Sequence, residues 1–210
     1  MTRSRLKIYT MNRHILGMLL LLSLGSAIAS ADAIFDVDIN TTPLEGQTGY
    51  LAFDFIGGTP VEENTVTISD FSTNAVLGLL TPSGDVSGSL SPGPGTLGDL
   101  EFFNEFLQEV TFGTTVSFVL DLTTNATGVT IPDDFSFYLL DSTENPYTTS
   151  DPSGADSLVN INISGAAPTL DIYTSSSAAV IPEPRGISIT LVVLMGALLR
   201  LRRRCWNFRS

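Results

Sequence analysis

Residues 49–55 read Gly49-Tyr50-Leu51-Ala52-Phe53-Asp54-Phe55, and this stretch decides the fold. Leu51, Phe53 and Phe55 alternate with Ala52 and Asp54, a period of two that puts the large apolar groups on one face of an extended chain. The pattern recurs outward in both directions. Upstream, Phe35, Val37 and Ile39 alternate with Asp36, Asp38 and Asn40; downstream, Val66 and Ile68 alternate with Thr67 and Ser69. Further strand signals lie at Val116–Leu122, Phe135–Leu140, Leu158–Ile163 and Leu170–Tyr173. Clusters such as Gly57-Gly58-Thr59-Pro60, Ser91-Pro92-Gly93-Pro94-Gly95 and Ser150-Asp151-Pro152-Ser153-Gly154 punctuate them as turns. Short strands between turn signals predict an all-β fold, an antiparallel, jelly-roll-like β-sandwich over residues 32–173. One stretch breaks the period. Asp99–Val110, DLEFFNEFLQEV, sets Leu100, Phe103, Phe106, Leu107 and Val110 at helical spacing and predicts one short helix docked on the sandwich. Residues 174–181, rich in Ser and Ala, read as a flexible linker.

Charge is partitioned along the chain. The 210 residues carry 22 acids and ten bases, a formal net charge of −12. Every base lies at an end: Arg3, Arg5, Lys7 and Arg13 in front, and Arg185, Arg200, Arg202, Arg203, Arg204 and Arg209 behind. Residues 32–184 therefore contain all the acids and no Lys or Arg. The single His14, Cys205 and Trp206 also fall outside that segment. A base-free acidic segment excludes nucleic-acid binding, which needs Lys and Arg to displace counterions. It also excludes docking on an anionic lipid surface. Without Cys it forms no internal disulfide.

The two ends read as addresses. A basic front precedes the apolar run Ile15–Leu24, which is followed by small residues including Ala27, Ala29 and Ala31. This is the layout of a signal peptide over residues 1–31, with a signal helix, cleaved by signal peptidase at Ala29 or Ala31. At the other end, Pro182-Glu183-Pro184 precedes an apolar stretch, Ile187–Leu199, and then Arg200, Arg202, Arg203 and Arg204. The prolines stop a helix, so the motif should be extended. The apolar stretch predicts a transmembrane helix over 186–201, with the arginines held in the cytoplasm.

Residues 182–210 thus resemble the PEP-CTERM sorting signal, a Pro-Glu-Pro motif followed by an apolar helix and a C-terminal arginine cluster. The resemblance implies transient anchoring in the inner membrane and cutting near Pro182, Glu183 and Pro184 by the membrane enzyme exosortase. It makes Arg200, Arg202, Arg203 and Arg204 the cytoplasmic stop cluster, and it implies a Gram-negative host that makes extracellular polysaccharide. The stretches GYLAFDF, TISDFS, GDVSGSL, FFNEFLQEVTFGTTVSFVLDL and TTSDPSG also resemble a recurring group of PEP-CTERM proteins whose function is unassigned.

Chemistry is bounded by exclusion. Without His or Cys the middle offers no Ser-His-Asp or Cys-His constellation and no usual zinc ligands. Asp36-x-Asp38-x-Asn40 copies the start of a calcium loop, but Thr41 stands where Gly belongs and Gln47 where the closing Glu belongs. A strand with a polar outer face accounts for the same alternation, and no cofactor is expected beyond this weak calcium candidate. Asp133-Asp134 and Glu62-Glu63 read as solvated turn residues. The expectation is an exported, non-enzymatic surface or extracellular-matrix protein. The alternatives are a polysaccharide-binding module, for which Tyr50, Tyr138, Tyr147 and Tyr173 are the aromatic candidates, and a carboxylate-based glycan hydrolase.

Overall fold

The computed structural model describes residues 33–58, 64–125, 131–163 and 168–184. Leu51, Phe53 and Phe55, whose alternation announced a strand, are wholly buried in the second strand of the chain. The strands are β1 (Ala33–Asn40), β2 (Thr48–Ile56), β3 (Thr65–Thr73), β4 (Val76–Ser83), β5 (Val86–Gly88) and β6 (Gly95–Gly98). They continue with β7 (Phe103–Thr111), β8 (Thr115–Leu122), β9 (Asp133–Asp141), β10 (Val159–Ile163), β11 (Thr169–Ile172) and β12 (Ala179–Pro184). One 3-10 turn, Thr42–Leu44, joins β1 to β2. Among the described residues there is no α-helix. All described residues belong to one compact unit, Ala31–Ser210; a second unit, Met1–Ser30, lies outside them.

The strands form two antiparallel six-stranded sheets. One runs β12-β1-β8-β3-β6-β5, the other β11-β10-β9-β2-β7-β4. Their inner faces share one apolar core. Phe53 of β2 meets Phe118 of β8, across the two sheets, edge-on at 5.1 Å, and Phe137 of β9 at 4.8 Å. Phe71 of β3 closes the cluster at 6.3 Å. Such contacts add to the burial of large rings. The pairings are nested: β1 with β8, β2 with β7, β3 with β6. Gly49 sits where β2, β9 and Phe112 converge: a Cβ there would strike the Leu140 carbonyl and come within 2.8 Å of the Phe112 ring.

Two expectations are corrected. The helix predicted over Asp99–Val110 is instead an irregular turn followed by β7, which pairs with β2 on one side and β4 on the other. Its inward positions are Asn104, Phe106, Gln108 and Val110, a strict period of two. Two of those four are polar, which hid the alternation and left the helical spacing as the visible one. The backbone needs them inside. Asn104 Nδ2 donates to the Phe55 and Glu101 carbonyls, at 3.1 and 2.8 Å, and its Oδ1 accepts from the Asp85 amide at 2.6 Å. Gln108 Nε2 donates to the Gly78 carbonyl at 3.1 Å, where β4 bulges between Leu77 and Leu80. Burying amides is tolerable because their hydrogen bonds are made.

The linker expected over 174–181 is tied into the fold. The Thr174 amide donates to Ser150 Oγ, and Ser175 Oγ donates to the Thr148 carbonyl. Ala178 is buried, Val180 packs on the core, and β12 begins at Ala179. Small residues allow this close approach; their composition resembles a tether only in isolation. The signal helix over 1–31 and the transmembrane helix over 186–201 lie outside the described residues. So do Ala29, Ala31, Arg200, Arg202, Arg203 and Arg204. Among the described residues no helix is long and apolar enough to cross a membrane.

Candidate functional site

Pro182, Glu183 and Pro184 form the end of β12, in register with Val37, Asp36 and Phe35 of β1. The motif is extended, and β12 is an edge strand of its sheet. Edge placement follows from the two prolines, since a residue without an amide proton cannot serve a central strand. Positions 182 and 184 have the same parity, so both nitrogens point to the same side. Both therefore withhold a donor from the same edge of β12, and among the described residues no further strand extends that sheet beyond it.

The calcium candidate lies on the strand beside it. Asp36, Asp38 and Asn40 share the outer face of β1, opposite buried Val37 and Ile39. Residues two apart in a strand are separated by roughly 6.6 Å. A calcium loop curls such residues around one ion at roughly 2.4 Å, which an extended segment does not do. Asn40 Oδ1 already accepts from the Thr42 amide at 3.0 Å. Asp36 and Asp38 border a concavity of about 260 Å³ with Asp70 and Ser117. Asp70 stands at the bulge of β3, with φ +51°. Among the described residues no group of three or more His, Cys, Asp or Glu side chains is placed to hold a metal ion.

A hydrogen-bonded carboxyl pair lies on the outer face of the other sheet. Asp54 of β2 stands directly opposite Glu105 of β7 and Ser136 of β9. Burial, then the charge of Glu105 and a hydrogen bond to it, push the Asp54 carboxyl up to about 7. Burial also raises Glu105, against the lowering effect of the Asp54 hydrogen bond. The two carboxyls therefore share a proton that resides on Asp54. The other Asp54 oxygen, Oδ1, is buried with no hydrogen-bond partner. The polar row continues through Asn160 Nδ2, which donates to Asp134 Oδ1 at 2.6 Å and to Ser136 Oγ at 3.0 Å. A close carboxyl pair invites an acid–base reading, but a glycan hydrolase holds its two carboxyls roughly 5 Å or more apart around the bond to be cut. Here they are hydrogen-bonded to each other.

With no base in residues 32–184, carboxylates must find amides and hydroxyls instead. Asp133, expected as a solvated turn residue, is only 5% exposed: Oδ1 accepts from the Gly58 amide at 2.7 Å, and Oδ2 from Asn64 Nδ2 at 2.6 Å. Asp99 Oδ2 accepts from the Asn64 amide at 2.9 Å. Asn64 thus ties two buried carboxylates together at one pole of the sandwich, a knot with no sequence signature, because its members come from the approach to β3, the exit of β6 and the first residue of β9. Glu62 and Glu63 lie outside the described residues.

The aromatic candidates are half-buried. Tyr147 packs edge-on against Phe112 at 6.4 Å with its hydroxyl 3.4 Å from Gln47 Oε1, a ring that caps the core. Tyr50, Tyr138 and Tyr173 are also partly covered. The exposed rings are instead Phe102, 74% accessible, and Phe103, 42% accessible, which the helical reading had placed on a docked helix. No protein family, curated protein or solved structure matches the chain.

Proposed function

We propose that the chain is an exported, non-enzymatic protein of the cell surface or extracellular matrix, trimmed by signal peptidase in front and by exosortase behind. The observation that carries this reading is the layout of the sequence. All ten bases sit at the two ends beside apolar runs, and Pro182-Glu183-Pro184 precedes the second run and its arginine cluster. Loss of both ends, with Glu183 leaving in the tail, gives a product with 21 carboxyls and no Lys or Arg. Such a product stays soluble through self-repulsion. We read its architecture as a jelly roll, in which a folded ribbon pairs first strand with eighth, second with seventh and third with sixth. The nested pairings support that reading.

Intact-mass measurement of the secreted protein tests the function. The expected product starts at Asp32 and ends near the Pro-Glu-Pro motif; retention of Trp206 would overturn the proposal. A polysaccharide-binding role would gain from an open aromatic platform, and the half-buried tyrosines do not favour it. Specific binding on a glycan array would bring it back.

A further inference from the structure

The chain enters and leaves the sandwich at the same pole. β1 begins at Ala33, beside Leu122 at the end of β8. β12 ends at Pro184, in register with Phe35. That pole is also where β2 ends, where β7 and β9 begin, and where Asn64 ties Asp133 to Asp99.

The large apolar residues left in solvent gather there. Among the described residues, Ile34, Leu100, Phe102, Phe103 and Ile131 are exposed at this pole, by 41, 68, 74, 42 and 61% respectively. Only Val76 and Leu79, on the edge strand β4, are exposed elsewhere. The loop carrying Leu100 and Phe102 flanks the same dipeptide as Ile131. The Gly57 amide donates to the Phe102 carbonyl at 3.0 Å, while a Cβ on Gly58 would meet the backbone of Ile131 and Pro132. Apolar residues concentrated on one surface of an otherwise acidic domain mark a contact surface.

We propose that this pole rests on the neutral, zwitterionic surface of a lipid bilayer while the chain is anchored by its C-terminal apolar stretch. Two observations select lipid as the occupant. First, Pro184 is followed after only Arg185 and Gly186 by the apolar stretch that starts at Ile187, a reach of roughly 10 Å. The anchor therefore leaves the fold beside the patch and holds it at high local concentration against the bilayer. Second, exposed Glu101 stands between Leu100 and Phe102, and no base lies in residues 32–184 to offset it, so the matching surface is uncharged overall rather than anionic. Phe rings and aliphatic side chains settle at the headgroup boundary. The proposal rests on the anchoring reading above, and the test separates the two.

Full-length chain is reconstituted into phosphatidylcholine vesicles carrying brominated acyl chains. Three variants that carry Trp206→Phe each place a single indole, by Leu194→Trp in the middle of the apolar stretch, Phe102→Trp at the pole or Leu79→Trp on the remote edge. The expected result is loss of emission for the indoles at positions 194 and 102, with none at position 79. Quenching at 194 without quenching at 102 overturns the lipid-facing pole and leaves the anchor standing. Equal quenching at 102 and 79 means indiscriminate adsorption and also overturns it. An indole at 102 shielded from aqueous iodide but untouched by bromine means that a second copy or another segment covers the patch, and this too overturns the lipid-facing pole. An unquenched indole at 194 overturns both readings.

Discussion

Replacing Asp54 by Asn should change how stability depends on pH. Asp54 is one of two carboxyls that share a proton across β2 and β7, with its pKa raised from 3.8 to about 7. Below the unfolded value the carboxyl is protonated in both states and folding is not penalised. Between the two values the folded chain keeps a proton that the unfolded chain has released. The folded state then binds more protons, and stability falls as pH rises. Above about 7 both states are ionised and the loss is complete. At roughly 1.4 kcal/mol per pH unit, the interval corresponds to a ceiling on the order of 4 kcal/mol. Solvent penetration and proton sharing with Glu105 bring the measurable part nearer ~2 kcal/mol. Asp54→Asn removes the titration and supplies an N–H donor toward Glu105. Urea unfolding followed by tyrosine fluorescence, from about pH 4 to about pH 8, measures the difference; residues 32–184 contain no Trp to interfere. The variant should gain on the wild type as pH rises, with most of the gain reached by about pH 7. Parallel curves for the two proteins would refute the shared proton.

Other substitutions probe separate parts of the fold. Asn104→Ala strands the Phe55 and Glu101 carbonyls and the Asp85 amide, and should cost about 3 kcal/mol in the same unfolding assay. Phe53→Ala empties the middle of the aromatic cluster that joins the sheets, for a loss of ~3–5 kcal/mol and a lower Tm. At Asp151, hydrogen bonds from Ser153 and Ser157 outweigh the opposing effect of burial and hold the carboxyl below its usual range. Its contribution is present at neutral pH and lost as pH falls through that depressed value, so Asp151→Asn should flatten the acid limb of a stability–pH curve and leave the alkaline limb unchanged.

Strands were legible in the sequence where one face is apolar and the other polar. β1, β2, β3 and β8 through β11 all coincide with alternation read directly from residues such as Val37, Phe53, Ile68 and Ile161. The signal failed in three physical situations. β4 is an edge strand with a bulge, exposed along most of its length, so Val76 and Leu79 follow no inward period. β6, Gly95–Gly98, is too small and glycine-rich to advertise a buried face. β7 carries Asn104 and Gln108 inward, and much of their value lies in distant backbone groups, those of Phe55, Gly78 and Asp85, that no local window contains. The candidate site divides the same way. The extended Pro182–Pro184 motif is local chemistry and was readable. The Asp54–Glu105 pair and the Asn64 knot exist only because distant strands and loops meet.

The pairing of β1 has a consequence for the order in which the fold is completed. Synthesis delivers the N-terminal strand first, yet its two neighbours are β8 and β12, which arrive in the second half and at the very end of the described chain. Asn40 meets Ala179 only by closing nearly the whole intervening loop. Until residue 122 has emerged, Val37 and Ile39 have no sheet to join, and the acidic chain around them resists premature collapse by its own repulsion. The last stitch in the first strand is then the Pro-Glu-Pro segment itself, so completion of that strand's pairing and emergence of the motif are a single event in time.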